Sequence, residues 1–144
     1  PAVLAKLVAD GRSGRHDGRG FYRTAGLRDG RGAVDASIYT VLGVEHSTKL
    51  PADEIQMRCA LAMVNEALRC VGDGVLRDPR DGDVGAVLGL GFPRRRGGPL
   101  RYVDTIGAAD VLRRIQGYAE RFGERWRPAP LLVQLAKKGE RLRS

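Results

Sequence analysis

Between Pro51 and Gly74 the chain carries one long apolar stripe that only a helix can present on a single side. Met57, Leu61, Val64, Leu68 and Val71 recur at spacings of four, three, four and three, the period of an α-helix and not of a strand. Ile55, Cys59, Met63, Ala67 and Cys70 widen the arc, which predicts a central and largely buried helix. Pro51 suits the first helical position, Asp53 and Glu54 suit the positive end of the helix dipole, and Gly72 and Gly74 supply the stop. Asn65 and Glu66 interrupt the stripe, and a buried amide or carboxylate needs partners. Glu66 can reach Arg69, and Arg69 can reach Asp73. Helix-to-loop hydrogen bonding is the expected role of this pair, with catalysis by Glu66 as the alternative.

The remaining punctuation predicts more helices. Residues 3–9 end an amphipathic helix at Gly11. Asp78 is placed to cap a helix through the amide of Asp81, with Pro79 in its first position and a stop at Gly89. Gly97, Gly98 and Pro99 open a short helix that ends by Gly107. Ala108 to Phe122 is amphipathic throughout, and Pro128 and Pro130 introduce a last helix that ends at Gly139. Residues 11–32 are Gly-, Arg- and Asp-rich loop with a short extended piece at Phe21 and Tyr22. The segment VDASIYTVLG is short and apolar, and its type stays open. No long alternating strand pattern occurs, so the expected fold class is all-α.

The whole sequence is 144 residues, 42% hydrophobic, with a formal net charge of +8. That is enough chain for a real core and too apolar for a disordered tail. No run of about 18 apolar residues is present, so no transmembrane segment is expected. PAVLAKLVADGRSGR lacks the apolar centre of a signal peptide. There is no initiator Met, and Pro1 is expected to be a cut through a longer chain. Cys59 and Cys70 fall in one predicted helix, roughly 16 Å apart along its axis, too far for a disulfide; buried thiols in a reducing cytoplasm are expected. His16 and His46 lie in loop-like stretches without a matching ligand set, so no metal site is expected. The positive charge suits nucleic acid, anionic lipid or coenzyme A, or it is a solvated basic face.

One internal match stands out. Shifted by 128 positions, Leu4 meets Leu132, Leu7 meets Leu135 and Gly11 meets Gly139. Two short Gly-terminated amphipathic helices match this way by chance as well as by duplication.

Five strings carry a resemblance: GRGFYR at 18–23, MVNEALRC at 63–70, PRDGDVGAVLGLGFP at 79–93, GGPLRYVDTIGAADV at 97–111 and PAPLLVQLA at 128–136. Together they closely resemble the C-terminal part of the 3-hydroxyacyl-CoA dehydrogenase region in the α chain of the fatty-acid oxidation complex, a family of multifunctional β-oxidation enzymes. The resemblance implies a bacterial, cytoplasmic parent chain with an enoyl-CoA hydratase domain, then an NAD-binding domain, then two tandem helical units. It further implies a His–Glu pair upstream that takes the hydroxyl proton while hydride passes to NAD, and a thiolase chain as a partner. Residues 1–23 then resemble the end of the first helical unit with its Gly-rich loop, 24–33 a linker, and 34–144 the second unit. No catalytic residue, cofactor-binding residue or metal ligand is expected in this segment, and NAD is expected on a domain outside it.

The residues themselves agree on the cofactor. A phosphate-cradling GxGxxG needs a preceding strand and a following helix. GLGFPR follows a predicted helix, and GRHDGRG sits in a loop. Neither histidine has a carboxylate placed by regular structure to orient it, as a general base requires. Leu88, just before GLGFP, is the one substrate-contact candidate: in related enzymes a bulky residue there borders the acyl pocket. The alternative is a core leucine. Gly89, Gly91, Phe92 and Pro93 form the adjacent turn, with Phe92 expected inside. Arg94, Arg95 and Arg96 depart from the family's apolar stretch and are expected to face solvent, with coenzyme A phosphates or another subunit as alternatives. Arg15 and Arg19 carry the same phosphate alternative. Three functions compete: a segment supporting 3-hydroxyacyl-CoA oxidation, a module docking a thiolase subunit, and a basic nucleic-acid module. The last requires aromatics interleaved with Lys and Arg on one face; only Phe21, Tyr22 and Trp126 lie among basic residues, in two separate places, so nucleic acid is not an expected partner.

Overall fold

The computed structural model describes residues 2–26, 32–45 and 49–143. Two compact units divide at Lys49 and Leu50. The expected linker at 24–33 lies partly outside the described residues, as does His46.

The first unit is small. Helix α1 (Ala2–Ala9) is followed by a Gly-rich turn and by a two-residue antiparallel pairing of β1 (Tyr22–Arg23) with β2 (Ala33–Val34), in the register Tyr22 to Val34 and Arg23 to Ala33. The short apolar segment whose type was open is helix α2 (Ser37–Leu42), closed by Gly43 at a φ of 68°. α1 packs on α2. The pairing of Val34 with Tyr22 ties β2 into this unit, and the second compact unit starts at Leu50.

The second unit is a five-helix body made of α3 (Ala52–Gly72), α4 (Pro79–Gly89), α5 (Pro99–Ile106), α6 (Ala108–Phe122) and α7 (Pro130–Lys138). Short 3-10 turns stand at Arg94–Arg96 and Glu124–Trp126. α3 packs on α5 and α7, α4 on α5, and α6 on α5 and α7. Leu61, Val64 and Leu68 of α3 meet Leu100 and Val103 of α5, Val111 and Ile115 of α6, and Leu132 of α7 in one core. Burying side chains of this size contributes about 1.5–3 kcal/mol each. Tyr118 stacks at a tilt on Trp126, with ring centroids 4.8 Å apart, and the Arg58 guanidinium sits 4.2 Å over the Phe122 ring.

The all-α expectation holds, and the helix ends fall where Gly and Pro put them. The stripe on α3 is narrower than expected. Leu61, Val64, Asn65 and Leu68 are buried, but Ile55 and Cys59 are exposed and Cys70 is half-buried. The expectation of buried thiols is thereby corrected for Cys59. The reason is geometric: neighbours cover only the side of α3 that faces α5, α6 and α7, and Ile55 and Cys59 lie off that side, while Met63 and Ala67 pack at the edge of the core.

Candidate functional site

The segment from α4 to α5 builds the site. Asp78, in extended conformation, accepts a hydrogen bond from the Arg80 amide at 2.7 Å; the expected donor was Asp81, whose amide instead bonds the Asp78 carbonyl at 3.1 Å. At its far end α4 closes on Ala86, whose carbonyl accepts from the amides of Leu90 at 3.1 Å and Phe92 at 3.0 Å. Gly91 makes this possible at a φ of 74°, where a side chain is strained. The turn therefore sends Phe92 into the core and leaves its neighbours outside. Phe92 is buried, as expected, while Leu88 and Leu90 are each 73% exposed. Leu88 therefore lies outside the core of this helical body.

Two bare leucines on one turn are an apolar surface that gains by being covered. Leu90 also lines an open groove of about 480 Å³ with Met63 and Ala67 of α3 and Gly85 of α4. Arg94, Arg95 and Arg96 follow as an exposed 3-10 turn, as expected for three adjacent cations.

Asp83 was not singled out from the sequence, yet it fixes the geometry between α4 and α5. It is buried, and it accepts from the Leu100 amide at 2.7 Å and the Arg101 amide at 3.1 Å. It also pairs with Arg143. A carboxylate on α4 thus caps the first turn of α5, where free amides and the helix dipole favour an anion. Gly98 makes room: a Cβ there would overlap the Asp83 carboxyl, and its φ of 116° is itself a glycine conformation. A lone Asp in an apolar helix face, followed by GGP, was the available signal.

Asn65 ties α3 to the segment that leads into α7. Its amide nitrogen donates to the Arg127 carbonyl at 2.9 Å, and its oxygen accepts from the Ala129 amide at 2.9 Å. Glu66 is exposed and pairs with Arg69 at 3.3 Å. Arg69 in turn donates to the Arg127 carbonyl at 2.6 Å, where Asp73 had been the expected partner.

In the first unit the structure brings together residues that the sequence did not. Arg12 is buried and donates to Asp10 at 2.7 Å, the Gly20 carbonyl at 2.8 Å, Asp35 at 2.9 Å and the Ser37 hydroxyl at 2.6 Å. Asp35, also buried, accepts from the hydroxyl and amide of Ser37, and Arg19 and Arg23 approach it at 3.3 and 3.4 Å. The Ser37 hydroxyl and Arg12 together hold the Asp35 carboxyl well below the usual carboxylate range, against the opposing effect of burial. Arg19 joins this ion network from a half-exposed position. The Asp-x-Ser step ahead of a short apolar run was the only readable sign. In the turn that follows, Asp17 lies 2.8 Å from Nδ1 of its neighbour His16 and raises the histidine pKa, although the ring is 91% exposed.

The GxG of GLGFP follows helix α4 and not a strand, and GRGFYR runs through the Gly-rich turn into β1. Among the described residues no helix is long and apolar enough to cross a membrane.

This helical body with its bare GLGFP turn is the part of the chain that matches a known family. Residues 55–143 match the family model described as 3-hydroxyacyl-CoA dehydrogenase, C-terminal domain, and the chain belongs to that family. It is similar to the protein named fatty acid oxidation complex subunit alpha of Shewanella amazonensis, with 46% identity over 140 residues, covering 97% of this chain and 20% of the relative. The proteins of the same name from Shewanella halifaxensis and Vibrio vulnificus are each 43% identical over 141 residues, covering 98% of this chain and 20% of each relative. The chain spans about a fifth of the length of these relatives. The expected resemblance is borne out, and the alternative of a thiolase-docking module is not supported by these matches.

Proposed function

We propose that this chain is the C-terminal helical segment of a bacterial, cytoplasmic fatty-acid oxidation α subunit, and that it supports NAD-dependent oxidation of 3-hydroxyacyl-CoA to 3-ketoacyl-CoA by domains lying outside it. The carrying observation is the family match over residues 55–143 on a helical body that presents Leu88 and Leu90 to solvent. In this reading residues 1–23 end a first helical unit and residues 34–144 contain the second, whose compact body begins at Leu50. NAD and the His–Glu pair belong to upstream domains, alongside an enoyl-CoA hydratase domain. The segment's own contribution is apolar: Leu88 offers packing to an acyl chain, and neither charge nor a hydrogen bond.

Replacing Leu88 with Ala in the full-length enzyme tests this. The expected result is a raised KM for a long acyl substrate with kcat retained, the pattern of lost uniform binding, worth about 1–3 kcal/mol in kcat/KM. Leu88→Asp is expected to be worse, because its carboxylate loses water beside the acyl chain. Both variants keep the wild-type melting temperature, since Leu88 is outside the core. Unchanged kinetics on short and long substrates in both variants overturns the substrate-contact role.

A further inference from the structure

We propose that the groove between α3 and α4 binds an aliphatic chain of about ten carbons, with its anionic head group held by the Arg94–Arg96 turn. The groove has a volume of about 480 Å³, inside the roughly 300–1,000 Å³ typical of small-molecule sites. Met63, Ala67 and Cys70 line it from α3, and Gly85 and Ala86 from α4. Leu76 lies against Gly82 in the first turns of α4, where an added Cβ would come within 2.7 Å of it. Leu90 stands at the C-cap. From Gly82 to Leu90 the helix rises about 12 Å. An extended chain advances roughly 1.2 Å per bond, as the backbone does, so about ten carbons fill that length. Gly85 keeps the middle open: a Cβ there would meet nothing within 4 Å.

Charge gives the groove a direction. Asp81 lines it in the first turn of α4 and disfavours an anion at that end. Glu66, on the α3 wall, is neutralised by Arg69. At the opposite end the Phe92 amide is bonded to the Ala86 carbonyl. Arg94 follows two residues on, so the arginine turn begins within about 7 Å of Phe92 along the chain. Arg94, Arg95 and Arg96 are exposed, and none forms an ion pair among the described residues. Arg143, which reaches α4 from beyond α7, is by contrast paired with Asp83. Three like charges on one turn repel one another and favour a bound anion. A guanidinium meets a carboxylate or a phosphate through two parallel hydrogen bonds. A neutral chain would leave these cations unused, and a polar peptide would leave the apolar walls uncovered. An acyl chain with a charged end satisfies both.

Calorimetric titration of the 144-residue chain tests the site. The ligands are saturated carboxylates from hexanoate to tetradecanoate, each below its micelle concentration, and decanol as the neutral control. One site is expected, with affinity rising about fourfold per added methylene as far as decanoate and levelling beyond it. Decanol is expected to bind about tenfold more weakly than decanoate, for want of a charge-assisted hydrogen bond. Gly85→Leu fills the groove with a better helix former, so it abolishes decanoate binding while the melting temperature holds. R94Q/R95Q/R96Q brings decanoate down to the affinity of decanol and leaves decanol unchanged. Decanoyl-CoA distinguishes the two sources of the chain: tighter binding than decanoate names the acyl thioester, weaker binding names the free acid, and either supports the site. Absence of saturable decanoate binding overturns the proposal, as does unchanged binding in Gly85→Leu. Affinity that climbs without a break to tetradecanoate overturns it too, because general partitioning and not a groove of fixed length would then be measured. So does CoA alone binding as tightly as decanoyl-CoA. A chain that dimerises, becomes monomeric in Gly85→Leu and takes up no decanoate assigns the groove to a second copy and overturns the proposal as well. Neither turnover nor Leu88 enters these titrations, so failure of the dehydrogenase reading, which shows in the Leu88 kinetics, is separable from failure here.

Discussion

Asn65, in the middle of α3, holds the backbone of Ala129, the residue that leads into α7, by a 2.9 Å hydrogen bond to its amide. The same side chain donates to the Arg127 carbonyl. Both ends of one amide are used, so no isosteric apolar residue replaces it. Asn65→Leu leaves a buried donor and acceptor without partners and is expected to cost about 1–3 kcal/mol in urea unfolding. A loss below about 0.5 kcal/mol would show that water takes over both bonds.

The arms of the α3 stripe separate core from surface. Leu61→Ala and Leu68→Ala empty fully buried volume and are expected to cost about 2–5 kcal/mol each. Ile55→Ala, on the exposed arm, is expected to change stability by less than about 0.5 kcal/mol. Equal losses at Leu68 and Ile55 would mean that the exposed arm is covered in solution.

Acid acts on the first unit through Asp35. Its folded-state pKa lies below its unfolded value, so its contribution to stability is fully present above the unfolded pKa of about 4. As pH falls below that value the contribution shrinks, and it is gone once pH passes the folded pKa. The wild-type chain is expected to lose stability from about pH 4 downward, with α1 and the hairpin affected first. Asp35→Asn is less stable at pH 7 and shows a shallower acid slope. A variant with the wild-type slope would place the responsible carboxylate elsewhere.

Gly98 and Asp83 predict a non-additive pair. Gly98→Ala forces a side chain into both a left-handed φ and the Asp83 carboxyl, and Asp83→Ala strips the α5 cap at about 1–2 kcal/mol. In the double variant the overlap is relieved, so its loss is smaller than the two single losses added together. Strict additivity in thermal unfolding would mean that the overlap is relieved by backbone movement.

Most helix boundaries were legible because they are written locally. Pro99, Gly107, Pro130 and Gly139 mark ends by φ restriction or φ freedom, whatever the rest of the chain does. The family resemblance was legible for a different reason, in the order of five strings. What the residues concealed was tertiary. Nothing near Arg12 in a Gly- and Arg-rich loop distinguishes a buried guanidinium from a solvated one; that is decided by Asp35, 23 positions on. The width of the α3 stripe misled because apolarity states what a face tolerates, while coverage depends on which helices arrive. Leu88 was readable as a candidate only through the resemblance. Its exposure depends on Gly91 turning the chain so that Phe92 takes the inside position.

The carboxyl group of Asp83 belongs to one helix, and the amides it holds belong to the next. Sliding α5 along α4 by even one residue would bare the Leu100 and Arg101 donors at once and push the Gly98 backbone against the carboxylate. No intermediate register satisfies these groups, so displacement along the pair is opposed from its first step. Against a force along their shared direction, α4, its leucine-bearing turn and α5 therefore behave as a single strut.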